Sequence, residues 1–153
     1  MSKFSNFSAR PTGGFTLIEL MVVVLIITIL TVIAVPSYLN QTLKSHRTEA
    51  KSILMDLAAR EERYMATNGV YSVTASDLGL SAWGAMGSNY YSIAAPTVTA
   101  AAPGTATAAA TPATFSFTAT AINGQTKDTA CTSLSINQAG LQTSTGTATT
   151  GCW

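Results

Sequence analysis

Hydrophobic and polar positions divide this chain into three regimes. From Phe15 to Val35 apolar residues run almost unbroken, from Ser37 to about Asn68 they recur at mixed spacings of three and four, and beyond Gly69 they alternate loosely among Ser, Thr, Ala and Gly. The first regime is about 21 residues, or roughly 30 Å as a helix, which matches the hydrocarbon thickness of a bilayer. It is long enough to span one.

The second regime predicts an amphipathic helix. Leu39, Leu43, Ala50, Ile53, Leu54, Leu57, Ala58, Tyr64 and Met65 form its apolar face. Lys44, Arg47, Glu49, Lys51, Asp56, Arg60, Glu61, Glu62 and Arg63 occupy much of the rest, several in opposite-sign pairs at i,i+3 or i,i+4, the pattern of a solvated face. Asn68-Gly69 supplies a left-handed stop. Joined through Pro36, the two helical halves would make one rod of about 54 residues, near 80 Å long.

The third regime predicts short strands at 90–94, 114–122 and 132–136, with a fourth at 141–145 after the turn Gln138-Ala139-Gly140. Phe115, Phe117, Ala119 and Ala121 mark one face of the second of these. A small antiparallel sheet needs the amphipathic helix to cover its apolar side. Residues 96–112 are Ala/Thr low complexity with Pro103 and Gly104 inside, and read as an extended surface loop. The expected class is therefore α+β, a long N-terminal helix packed on a small antiparallel sheet.

Charge adds one sharp feature to this picture. Glu19 is the lone ionisable side chain between Phe15 and Val35, and a charge inside a bilayer core costs about 2.5 to 3.5 kcal/mol even on lenient scales. It needs a partner or a use. Lys3 and Arg10 precede the apolar run, as they would in a secretory signal peptide, but the run exceeds an ordinary signal core and Val35-Pro36-Ser37 leads straight into another helical pattern. Positive charge on this flank implies a cytoplasmic N-terminus, with the rest of the chain facing outward.

Composition narrows the chemistry further. After the span, 153 residues leave room for one modest domain. Net charge is +1, and removal of Lys3 and Arg10 would turn it to −1, so the chain does not advertise a polyanion partner. His46 is the single histidine and sits in a polar stretch of helix, where it reads as solvated. No cofactor, metal site or catalytic residue is expected, because no nucleophile, base and orienting group stand together in the sequence. Cys131 and Cys152 both fall in the exported part, where an oxidising compartment favours a disulfide; closing a loop of that span stabilises by roughly 3 kcal/mol.

Thr12-Gly13-Gly14 followed by Phe15-Thr16-Leu17-Ile18-Glu19-Leu20 resembles a type IV prepilin. The resemblance implies that a leader of residues 1–14 is cut after Gly14 on the cytoplasmic face by a prepilin peptidase, which also methylates the new N-terminus at Phe15. It further implies that Glu19 of one subunit meets the Phe15 amine of a neighbour, and that Pro36 kinks the helix. The family's domain plan would give a span at 15–36, an amphipathic helix at 37–68 and a sheet domain at 69–153 bounded by the Cys131–Cys152 disulfide. Partners would be other pilin copies, the inner membrane before assembly and the pilus assembly platform, with the filament ending outside the cell. Many family leaders carry Lys or Arg close to the cut, whereas here Pro-Thr-Gly-Gly separates it from Arg10.

Glu62-Arg63-Tyr64, Asn68-Gly69-Val70-Tyr71, Lys127-Asp128-x-x-Cys131 and Cys152-Trp153 resemble the PilE-like and ComP-like branch of minor pilins. That likeness raises DNA as a partner. Charge lowers it, since Lys127 is the one basic residue after Arg63. A pseudopilin of a secretion system shares the N-terminal motif and is the alternative; several carry a carboxylate-built calcium loop, but beyond Glu62 this chain offers just Asp77 and Asp128. One conformational expectation follows from Thr28, Ile29, Thr31, Val32, Ile33 and Val35, which are β-branched and poor helix formers in water. This stretch would be helical in lipid and partly extended in a fibre.

Overall fold

The computed structural model describes residues 14–105, 108–148 and 150–153. The expected leader, with Lys3 and Arg10, lies outside the described residues except for Gly14. Two compact units divide the chain between Leu39 and Asn40. Helix α1, Leu17–Asn68, runs from one into the other with Pro36 inside it.

In the first unit the helix is long and apolar enough to cross a membrane, and none of that stretch is buried. Thr28 and Thr31 turn their hydroxyls back onto the Val24 and Ile27 carbonyls, so neither carries an unsatisfied donor into an apolar surrounding. Pro36 has no N–H to offer the carbonyl one turn earlier. The helix continues through it, and the β-branched stretch before it is helical in the single chain.

In the second unit Ala50, Leu54, Leu57 and Glu61 are the buried positions of α1, a stripe at spacings of four, three and four that faces the sheet. Leu39, expected on the apolar face, is exposed. Gly69 ends the helix in the left-handed region at φ 74°, and its N–H donates to the Met65 carbonyl at 2.8 Å. Short 3₁₀ turns at Ala75–Leu78 and Trp83–Met86 then carry the chain back toward the sheet.

Five antiparallel strands follow: β1 Tyr91–Ile93, β2 Thr97–Thr99, β3 Thr114–Ala121, β4 Ser133–Asn137 and β5 Gln142–Thr145. The long strand β3 organises them. Along one of its edges β1 pairs with Ala119–Ala121 and β2 with Thr114–Ser116; β4 lies along the other, and β5 beyond it. The loop reading of 96–112 needs correction here, because Thr97-Val98-Thr99 is a strand and Ala102 bridges to Thr111. Two β-branched threonines flank a valine that reaches the core, and this local alternation outweighs the low complexity around it. Buried Pro96 separates β1 from β2, since it cannot donate to the ladder.

The core lies between this sheet and α1. Phe115, Phe117 and Ala119 of β3 point inward with Tyr91 and Ile93 of β1 and Leu134 and Ile136 of β4. They meet Ala50, Leu54 and Leu57. Phe115 and Phe117 pack edge to face at 5.6 Å, and full burial of one such ring contributes about 2 to 3 kcal/mol. The opposite face is polar, where Thr118 and Ser135 share a 2.9 Å hydrogen bond across directly paired positions.

The chain end is fastened to the start of β4. Thr147 and Ala148 donate to the Thr129 and Ala130 carbonyls, and a Cβ added at Gly146, whose φ is 139°, would overlap the Ala130 carbonyl. Cys131 and Cys152 are joined in a disulfide. The Trp153 indole donates to the Thr143 carbonyl at 2.6 Å.

Replacing both cysteines by serine is expected to lower stability by about 3 kcal/mol, the loop-closure term for this span. Hydrogen exchange should speed up in β4 and β5 while the Ala50–Leu57 stretch of α1 stays slow. Uniform acceleration across the sheet and helix would contradict a bridge that secures the C-terminal end alone.

Candidate functional site

The expected processing motif sits at the head of the first unit. Gly14 and Phe15 are exposed and lead directly into the helix. Thr16 and Glu19 form a capping box: the Glu19 N–H donates to the Thr16 hydroxyl at 3.3 Å, and Glu19 Oε2 accepts from the Thr16 N–H at a long 3.5 Å. Thr-x-x-Glu thereby starts the helix where the apolar run begins. Among the described residues this long N–H contact is the carboxylate's hydrogen bond, and no salt bridge reaches it. Phe15, Glu19, Leu20 and Val23 line a shallow groove of about 210 Å³.

In the second unit a buried polar knot ties the helix to the segment before Cys131. The 3₁₀ turn Asn123–Lys127 brings Gln125 and Asp128 against α1. Arg47 grips Asp128 with both arms of its guanidinium, Nε to Oδ2 at 2.6 Å and Nη2 to Oδ1 at 2.7 Å. The side chains are 11% and 2% exposed, so this pair is withdrawn from water. Its hydrogen bonds to Asp128 raise the Arg47 pKa further, against the pull of burial. Gln125 Nε2 donates among Asp128 Oδ2, the Tyr91 hydroxyl and the Leu43 carbonyl. Gln125 Oε1 accepts from His46 Nδ1 at 2.9 Å, which sets the proton on that nitrogen, and the imidazole stacks on Tyr90 at 3.4 Å.

A second polar cluster lies where the chain leaves α1. Glu61 is fully buried, with Oε2 accepting from the Ser72 N–H at 3.1 Å. Among the described residues its Oε1 has no hydrogen-bond partner. The Tyr71 hydroxyl donates to Glu62 Oε1 at 3.0 Å, so this segment is stitched to the helix through two carboxylates, while Ser72 Oγ donates to Asp77 Oδ2 at 2.6 Å within the segment itself. Burial pushes the Glu61 pKa up; the Ser72 N–H opposes this, while the charges of Glu62 and Asp77 add to it.

Two readings of the helix are corrected by these contacts. His46 was expected to be solvated, yet it stacks on Tyr90 and bonds Gln125. Arg47 and Glu61 were assigned to a solvated polar face, yet one is paired in the interior and the other is buried. The signal available in the sequence was that Glu61 continues the Ala50, Leu54, Leu57 stripe. Asp77 and Asp128 are engaged separately, by Ser72 and by Arg47. Among the described residues no three His, Cys, Asp or Glu side chains converge as a metal site.

Glu61 makes the pH dependence of this cluster testable. Unfolded, its carboxyl loses its proton near the ordinary 4.5, while folded it retains it to higher pH. The folded state gains from the neutral acid below 4.5 and loses that gain as pH rises toward the folded value. Glu61→Gln, which cannot ionise, should be more stable than the parent at neutral pH by about 1 kcal/mol and should flatten this decline. Denaturant melts at acid and neutral pH check it; parallel losses in both proteins would contradict it.

Comparison with known proteins places this chain in a family. A model described as the prokaryotic N-terminal methylation motif matches residues 10–35. The type IV major pilin protein PilA of Myxococcus xanthus (strain DK1622) is 39% identical over 77 residues, which are 50% of this chain and 34% of that protein. The chain thus aligns with about a third of that relative's length. A solved type IV pilin from Shewanella oneidensis is 27% identical, with a TM-score of 0.47 over 72% of this chain and 97% of that one. The model described as "Type IV minor pilin ComP, DNA uptake sequence receptor" matches residues 36–135, well over half of the chain. The chain belongs to this family of type IV minor pilins.

Proposed function

We propose that this chain is a structural subunit of a type IV pilus, made as a precursor, held in the inner membrane and polymerised into a surface filament. The observation that carries this reading is an apolar helical stretch that no described residue buries, headed by Glu19 and preceded by Gly14-Phe15. The match of residues 10–35 to the methylation motif supports it. Prepilin peptidase would remove residues 1–14 and methylate Phe15. Residues 15–36 would serve first as membrane anchor and then as filament core, and 37–153 would face outward. The pilus assembly platform would lift each subunit from the membrane.

Extraction exchanges lipid contact for contact with other copies. Glu19 would select the exchange, because a neighbour's Phe15 amine would supply the partner that a single long N–H contact in its own capping box does not. Register is then set electrostatically, and apolar packing follows. Family membership also favours duplex DNA as a ligand, and phosphate recognition would fall to the lysines and arginines of the second unit. Several of these are already engaged, Arg47 with Asp128 and Arg60 with Asp56.

Intact-mass measurement of the exported protein tests the processing step. A chain beginning at methylated Phe15 is expected, and Gly14→Trp should leave full-length precursor in the membrane. A mature terminus at Ser37, or an uncut leader in sheared filaments, would overturn the reading.

A further inference from the structure

A groove of about 270 Å³ opens in the second unit beside the Arg47–Asp128 pair. Asn40 and Lys44 of α1 form one wall, and Lys127 and Thr129 form the other. Among the described residues neither lysine takes part in a salt bridge. Asp128, the acidic residue of the lining, is neutralised by Arg47. The groove therefore carries two ammonium groups outside any described salt bridge, together with the Asn40 amide and the Thr129 hydroxyl. Ammonium, amide and hydroxyl donors of this kind suit phosphate oxygens.

Its place along the chain selects the source of that phosphate. The apolar run ends at Val35, and Lys44 follows Pro36 by only eight residues, a short tether to the end of the span. The polar headgroup layer extends several ångströms past the hydrocarbon, a flexible lysine stem adds to its reach, and attraction to an anionic surface persists for about 8 Å at physiological salt. We propose that the Lys44–Lys127 groove docks on anionic phospholipid head groups of the outward-facing leaflet while the subunit is stored in the membrane. This rests on the reading of residues 15–36 as a membrane anchor. Docking would hold the second unit against the bilayer until extraction, when the lysines are released to solvent or to neighbouring subunits.

The test uses the full chain reconstituted into vesicles of phosphatidylcholine alone, or of phosphatidylcholine with about 30% phosphatidylglycerol. Vesicle flotation first checks the anchor. Limited acetylation read by mass spectrometry then gives the reaction rates of Lys44 and Lys127, with Lys51, on the same helix but outside the groove, as the internal reference. Phosphatidylglycerol should slow both groove lysines about fivefold relative to Lys51, and about 0.5 M salt should restore them. Equal rates in the two membranes with the protein floating normally would overturn the docking and leave the anchor intact. Failure to float would overturn the anchor itself. Short duplex DNA is added to the phosphatidylcholine vesicles as a competitor: protection by DNA where phosphatidylglycerol gives none would reassign the groove to nucleic acid and end the lipid proposal.

Discussion

Glu19 is the one ionisable group in a membrane-length helix, and its environment constrains what the molecule can do with that helix. The capping box with Thr16 satisfies one backbone donor and starts the helix cleanly, but a single 3.5 Å contact from a neutral N–H does little to offset a full charge in a medium of low dielectric. Among the described residues no cation forms a salt bridge with Glu19. Cleavage after Gly14 would create one at Phe15, and an apolar helical stretch that no described residue buries would supply the surface on which copies can associate. Charge and exposure thus point to the same assembly.

The second unit solves a different problem, that of stabilising a small sheet whose strands are rich in Ser, Thr and Ala. Its apolar core is modest, a helix stripe of Ala50, Leu54 and Leu57 against two phenylalanines and a few aliphatic side chains. Covalent and polar fastenings supplement it. The disulfide secures the chain end, Arg47 binds Asp128 across most of the sequence of this unit, and Gln125 joins helix, β1 and the turn before Cys131. Such polar links are strong only while complete; losing Asp128 would leave Arg47 buried and unpaired at a cost of about 3 kcal/mol or more.

Periodicity made the helix and four of the strands legible within a residue or two, because Phe115, Phe117 and Ala119 alternate plainly and Asn68-Gly69 marks a stop with a specific backbone geometry. Strand β2 was hidden by composition, since Thr97-Val98-Thr99 is too short to stand out within an Ala/Thr tract and becomes a strand through pairing with β3. The N-terminal methylation motif was readable because its residues are contiguous. The Arg47–Asp128 knot was not, as its members lie far apart in the chain and the helix pattern alone assigns Arg47 to solvent. Glu61 shows the converse: its position continues the buried stripe, but its residue type argues against burial, and position prevailed because Ser72 supplies a hydrogen bond at the sheet-facing side.

Zero-length carbodiimide coupling of sheared filaments, assembled from a mixture of isotopically light and heavy subunits, tests the central claim most directly. The account predicts a cross-linked peptide joining the Glu19 carboxylate of one copy to the Phe15 amine of another, seen as mixed light–heavy pairs. Coupling confined to single copies, or a Glu19 that remains unreacted while Phe15 couples to a different carboxylate, would contradict it.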